Sequence, residues 1–128
     1  MNNYCDCFCC CQYMYNNIPP LGNALNAYIR VLNYGGFVAR FWGSYVLEGQ
    51  KFNFQSSKFP IGVEKQINIP RHAVNIELYI DAALLPWVWI NAFHKVFHKA
   101  DEYCFVAYGV SFAPFAKQIP CSSPENML

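Results

Sequence analysis

Apolar residues recur at every second position in several separate stretches of this chain, the period of a strand with one face against a core. Phe37, Ala39, Phe41, Gly43, Tyr45 and Leu47 form one face of such a stretch, with Arg40 and Ser44 on the other. Val74, Ile76, Leu78 and Ile80 alternate with Asn75, Glu77 and Tyr79. Cys104, Val106, Tyr108, Val110 and Phe112 repeat the pattern, which places Cys104 on a core face. Val63, Ile67 and Ile69 alternate with Glu64, Gln66 and Asn68, with Lys65 out of phase. Residues 28–32 and 50–55 complete the predicted strands. Turn chemistry separates them at Gly35-Gly36, Leu47-Glu48-Gly49, Phe59-Pro60 and Pro70-Arg71-His72. About six or seven short strands at this spacing predict an all-β fold, an antiparallel β-sandwich.

Two regions leave the pattern. Residues 1–26 carry five cysteines and a Pro-Pro-x-Gly run with no sustained period, and read as a flexible Cys-rich arm. The predicted layout is therefore an arm over 1–26, a sandwich over 27–116 and a C-terminal tail over 117–128. Residues 87–98 are ambiguous: Trp89, Phe93, Val96 and Phe97 sit at helical spacing, while the flanking strands and Pro86 favour a loop followed by a strand.

Composition sharpens the picture. The chain has 128 residues, one domain's worth, with 55% hydrophobic, 18% aromatic and only 13% charged residues. An apolar excess of this kind points to exposed apolar surface at an interface. Nine basic and eight acidic residues give a net charge of +1 with no basic stripe. Duplex binding draws on phosphate neutralisation, so nucleic acid is excluded as a partner. Near-neutral charge favours self-association. The N-terminus, Met1-Asn2-Asn3-Tyr4-Cys5-Asp6, lacks the basic and apolar stretches of a secretory signal. The longest apolar run, residues 82–90, falls well short of the roughly twenty needed for a helical span. The chain is expected to be made soluble in the cytoplasm; release, or a place on a spore or cell surface, would need another route.

Candidate chemistry is sparse. There is no G-x-S-x-G elbow, no P-loop and no Gly-rich dinucleotide turn, and nothing brings a cysteine and a histidine together, so no enzyme and no cofactor are predicted. His94 and His98 would share a face on a helix, but lie roughly 13 Å apart on a strand, too far for one ion; no metal site is assigned. His72 reads as a turn residue. Cys5, Cys7, Cys9, Cys10 and Cys11 crowd into one short segment, where unstrained disulfides between near neighbours are hard to close. Disulfides between subunits, soft-metal thiolates and a reduced tail all remain open for them. The odd total of seven cysteines favours cross-linking. Cys121, between Pro120 and Ser122, reads as exposed and joins them as a candidate for intermolecular bonds.

From Gly35 onward the order of motifs resembles the C-terminal, fourth domain of the thiol-activated, cholesterol-dependent cytolysins. Gly36-Phe37-Val38-Ala39-Arg40-Phe41 is similar to the family's opening G-x-Y-V-A-x-F. Ile69-Pro70 with Ala73-Val74-Asn75-Ile76-Glu77-Leu78 is similar to its I-P-x-x-A-x-N-I-x-I segment. Tyr108-Gly109-Val110-Ser111-Phe112-Ala113-Pro114 is similar to its closing W-G-T-T-L-x-P. The resemblance implies an immunoglobulin-like sandwich that touches a lipid membrane, sterol among its candidates, through loops at one tip. Its Trp-rich loop falls on 81–91, with Ala82 in place of the cysteine and Asn91 in place of the terminal arginine; its sterol-reading Thr-Leu pair falls on Ser111-Phe112. The implied tip is Leu84, Leu85, Trp87, Trp89, Ile90, Ser111 and Phe112. Two functions follow. One is a non-enzymatic membrane- or surface-binding sandwich. The other is a self-assembling structural subunit (spore appendage, coat fibre or protein crystal) whose copies are cross-linked through the Cys-rich arm.

Overall fold

The structure, a computed structural model, describes residues 26–121. Eight strands occupy them: β1 (Asn26–Asn33), β2 (Ala39–Leu47), β3 (Gln50–Gln55), β4 (Glu64–Pro70), β5 (Val74–Leu85), β6 (Val88–Lys99), β7 (Glu102–Val110) and β8 (Ala113–Ile119). They form two four-stranded sheets, ordered β4-β1-β7-β8 and β3-β2-β5-β6. This is the expected all-β, immunoglobulin-like sandwich. One pair departs from the antiparallel rule: β1 runs parallel to β7, from Tyr28 beside Glu102 to Asn33 beside Ala107.

Alternation places the core between the sheets. Ala27, Ile29 and Val31 of β1, Ala39 and Phe41 of β2, and Ile76, Leu78, Ile80 and Ala82 of β5 all point inward and are buried. Phe59 seals one end, edge-on to Phe41 with centroids 6.2 Å apart. Phe105 fills the other half against Phe93 and Phe97.

One open choice is decided here and three sequence expectations change. Residues 88–99 are a strand, the reading that the flanking strands and Pro86 favoured over a helix; pairing with β5 along nearly its whole length supplies what a poor alternation did not. The strand β7 has the opposite phase to that expected: Phe105 and Ala107 face the core, while Tyr108 and Val110 are exposed. Both faces of that segment are apolar, so periodicity alone could not choose between them. Val74 is also exposed, because Asn75 adopts a left-handed conformation (φ 51°) and the register with β2 slips beside it. Lastly, β8 carries the sandwich past residue 116 to Ile119.

Candidate functional site

Antiparallel hairpins and the parallel β1/β7 pair send the β1–β2, β3–β4, β5–β6 and β7–β8 connections to one end. The bonds beneath that end are short and specific. The Gly36 N–H donates to the Gly109 carbonyl at 2.9 Å, and the Ala83 N–H donates to the Val38 carbonyl at 2.9 Å. Gly36 and Val38 are two residues apart, so the bases of the β5–β6 and β7–β8 hairpins are tied together by about 7 Å of chain. Both hairpins are tight: Leu85 pairs with Val88 across Pro86-Trp87, and Val110 pairs with Ala113 across Ser111-Phe112. A two-residue turn leaves its side chains no sheet to lie on, so each presents an aromatic ring outward.

The tip is accordingly apolar. Trp87 is 82% exposed, Phe112 76% and Leu85 57%, flanked by Tyr34, Ile61 and Leu84. Residues 84–88 and 110–113 contain no charged side chain. The structure thus brings Leu84, Leu85, Trp87 and Phe112 together at one end, with Ser111 half-buried in the same turn.

Trp89 and Ile90 do not join them. Trp89 pairs with Ala83 and Ile90 with Ala82, so both side chains have stepped back from the turn onto the sheet and are half-buried. The Trp89 ring lies under the Arg40 guanidinium, 4.0 Å from its centroid. Arg40 is held in turn by Asp81, at 3.2 Å from Nε to Oδ2. Asp81 is buried and gathers two more donors: Trp42 Nε1–H at 2.7 Å and Asn91 Nδ2 at 3.0 Å. Three donors on one carboxylate offset the cost of burying its charge and lock the sheet behind the hairpin. Asn91, standing where the resemblance has arginine, serves this clasp.

A further residue under the tip escaped the sequence reading. Asn33 is fully buried; its Nδ2 donates to the carbonyls of Phe37 (2.6 Å) and Phe59 (3.1 Å), and its Oδ1 accepts from the Gly35 N–H (2.9 Å). One amide thereby holds the β1–β2 and β3–β4 connectors in place. An asparagine just before Gly-Gly signals a turn, but nothing in the sequence says which carbonyls it will reach.

The cysteine expectations need one correction. Cys121 is bonded to Cys104 of the same chain, with Cα atoms 5.3 Å apart, and no cysteine among the described residues is free. Cys104 lies on the outer face of β7, opposite Ile119 at the end of β8, which carries Cys121 within reach. Its burial comes from this bond and not from the core face assigned above. Cys5, Cys7, Cys9, Cys10 and Cys11 lie outside the described residues, so the cross-linking reading has lost Cys121 and finds no support in the fold. His94 and His98 sit on β6, and no trio of histidine, cysteine, aspartate or glutamate among the described residues is placed to hold a metal.

With this geometry in hand, the described residues have the fold of the C-terminal domain of the cholesterol-dependent cytolysins. Among solved structures, the membrane-binding domain of pneumolysin superposes with a TM-score of 0.55 at 13% identity, covering 74% of this chain and 96% of that one. Listeriolysin O gives a TM-score of 0.56 at 18% identity over 76% of this chain and 23% of that one. A disulfide-locked mutant of intermedilysin, solved with human CD59, gives 0.55 at 14% identity over 76% of this chain and 24% of that one. This chain therefore spans about a quarter of the two whole toxins and corresponds in extent to the isolated pneumolysin domain. No protein-family model and no curated protein matches the sequence.

Proposed function

We propose that this sandwich binds lipid membranes by inserting the tip formed by Leu84, Leu85, Trp87 and Phe112. The observation that carries the reading is the near-complete exposure of Trp87 and Phe112 on two hairpins tied at the same end of one rigid body. Isolated in water, such rings are a liability; at a bilayer interface their apolar faces are buried and the indole N–H stays wet. The fold it shares with the membrane-binding domain of pneumolysin supports the same end. The tip offers apolar side chains for insertion, so binding rests on buried apolar area.

Co-sedimentation with phosphatidylcholine vesicles, with and without cholesterol, tests this. Burying one large apolar side chain is worth about 1.5–3 kcal/mol, so Trp87→Ala and Phe112→Ala should each weaken binding about tenfold or more. Both rings are exposed, so the melting temperature should stay within a degree or two. A double variant that sediments like the wild type would refute the reading.

A further inference from the structure

Apolar surface continues beyond the hairpin turns, up one side of the sandwich only. On the outer face of the β4-β1-β7-β8 sheet, Val110 pairs with Ala113 at the base of the β7–β8 hairpin, and Tyr108 pairs with Phe115 two residues further back. The parallel register of β1 with β7 runs to Asn33 beside Ala107, and the Tyr34 N–H donates to the Ala107 carbonyl at 2.7 Å, which sets Tyr34 next to Tyr108. Three rings from three neighbouring segments thus form one row. Tyr34 is 70% exposed, Phe115 53% and Tyr108 38%. Residues 107–116 contain no charged side chain.

The next row back ends this apolar stretch. Glu64 pairs with Leu32, Leu32 with Val106 and Val106 with Lys117, so a carboxylate and an ammonium bracket two aliphatic side chains. Successive rows on one face of a sheet are about 7 Å apart. The aromatic row therefore stands one step behind the turn and the charged row two steps behind, with the Lys117 ammonium 5.8 Å from the Tyr108 ring. The opposite sheet is built differently at the same depth. Trp89, one step behind Leu85, lies under the Arg40 guanidinium. Lys58, across from Arg40 beside the Ala39–Phe59 bridge, puts a second cation 5.9 Å from that ring. One side of the sandwich is bare and aromatic just behind the tip, and the other is charged.

We infer that the row Tyr34–Tyr108–Phe115 is a second lipid contact, and that the sandwich sits on a bilayer tilted onto its β7–β8 side. The inference rests on the tip insertion proposed above. Tyrosine suits this place because its ring is apolar and its hydroxyl stays wet at the headgroup level. Interfacial elements bury their apolar faces roughly 5–10 Å into the headgroup boundary, the depth at which this row stands. The charged row behind it then lies among the headgroups, with Lys117 placed to meet lipid phosphate. An upright sandwich leaves the three rings in water and draws Arg40 and Lys58 toward the hydrocarbon. Tilting buries the rings and lifts the two cations. Docking of a second copy on this row fits less well. Three partly exposed rings offer less than the ~800 Å² that each partner of a stable dimer commits, and the row is continuous with the tip.

Co-sedimentation of the full chain with phosphatidylcholine vesicles decides this, alongside sedimentation velocity without lipid. Tyr34→Glu and Phe115→Glu each put a carboxylate into the row and should weaken vesicle binding about tenfold or more. Lys58→Glu reverses an exposed charge on the opposite sheet and should change binding less than about twofold. The lipid-free chain should sediment as a monomer. Phe115 stacks on Tyr108, with centroids 5.7 Å apart, so its loss can perturb the hairpin. Tyr34 is the most exposed of the three, so Tyr34→Glu keeps the wild-type melting temperature and the test independent of folding. Row variants that bind like the wild type, while Trp87→Ala/Phe112→Ala does not bind, overturn the inference and leave the tip reading standing. A wild-type chain that fails to sediment with vesicles removes both. Equal weakening by Lys58→Glu overturns the tilt. A lipid-free dimer that Tyr34→Glu or Phe115→Glu dissociates also overturns the inference, since the row then belongs to a second copy.

Discussion

The side chain of Asn33 has no access to solvent and three hydrogen bonds to spend on the backbone around it. Replacing it with leucine would leave the Phe37 carbonyl and the Gly35 N–H buried without partners, while the Phe59 carbonyl would keep the Ala39 N–H at 2.8 Å. Each orphaned group costs about 1–3 kcal/mol, so Asn33→Leu should lose about 2 kcal/mol or more in urea unfolding. Asn33→Asp keeps the shape and the acceptor but loses both donors, and should be nearly as costly. A loss under 1 kcal/mol for both would show that the connectors beneath the tip hold without this amide. On the outer sheet, Glu77 poses a different question. The Tyr79 hydroxyl, first, and His94 hold its carboxyl below the usual value, and the same bond holds the Tyr79 phenol above its own. A lowered carboxylate pKa contributes stability that is present above the unfolded value and lost as pH falls through the folded one. The gap in melting temperature between wild type and Glu77→Gln should therefore be open at neutral pH and close as pH drops below about 4. A gap that stays constant into acid would mean that the charge of Glu77 contributes nothing to the stack.

At the scale of elements, β8 depends on a covalent clasp. It lies at a sheet edge and pairs with β7 alone, with Cys104–Cys121 closing its far end. Closing a loop of this length stabilises by about 3 kcal/mol in the chain-entropy account. Melting with reductant, or of the Cys104→Ala/Cys121→Ala variant, should show that loss; equal melting points would count against the bond. Gly43 marks a second dependence. A Cβ there would run into the Glu77 carbonyl on β5 and crowd the Phe54 ring, so Gly43→Ala must pry β2 from β5 and should cost more than any exposed strand glycine. These elements also show how far the sequence could be read. The period of β2 was clear because Arg40 and Ser44 break its apolar row on one face only. The phase of β7 was hidden because Phe105 and Ala107 are as apolar as Val106 and Tyr108. The identity of β6 was hidden because its partner lies in β5, and pairing is not a property of one segment. Trp87 and Trp89 looked alike in sequence; the turn at Pro86-Trp87 exposes one, and the Arg40 guanidinium, reaching over from β2, covers the other.

At the scale of the whole molecule, the sandwich has two poles. Trp87 and Phe112 stand at one, while the chain enters at Asn26 and leaves beyond Ile119 at the other. A folded protein fused to the N-terminus should leave vesicle binding unchanged, whereas a short insertion between Ser111 and Phe112 should abolish it; loss of binding in the fusion would place the contact at the wrong pole. The parallel pairing of β1 with β7 has a consequence in time. During synthesis the β3-β2-β5-β6 sheet is complete once Lys99 has been added, but β1, the first strand of the sandwich, has only β4 beside it until β7 arrives. For that interval one flank of β1 carries unpaired N–H and carbonyl groups, a template for any other strand nearby. Contacts between distant parts of a chain also form slowly, over milliseconds to seconds in folds of this type. A nascent chain that stalls after Lys99 would hold one finished sheet and one bare edge, and the partner available to that edge is the β1 of the neighbouring chain on the same message.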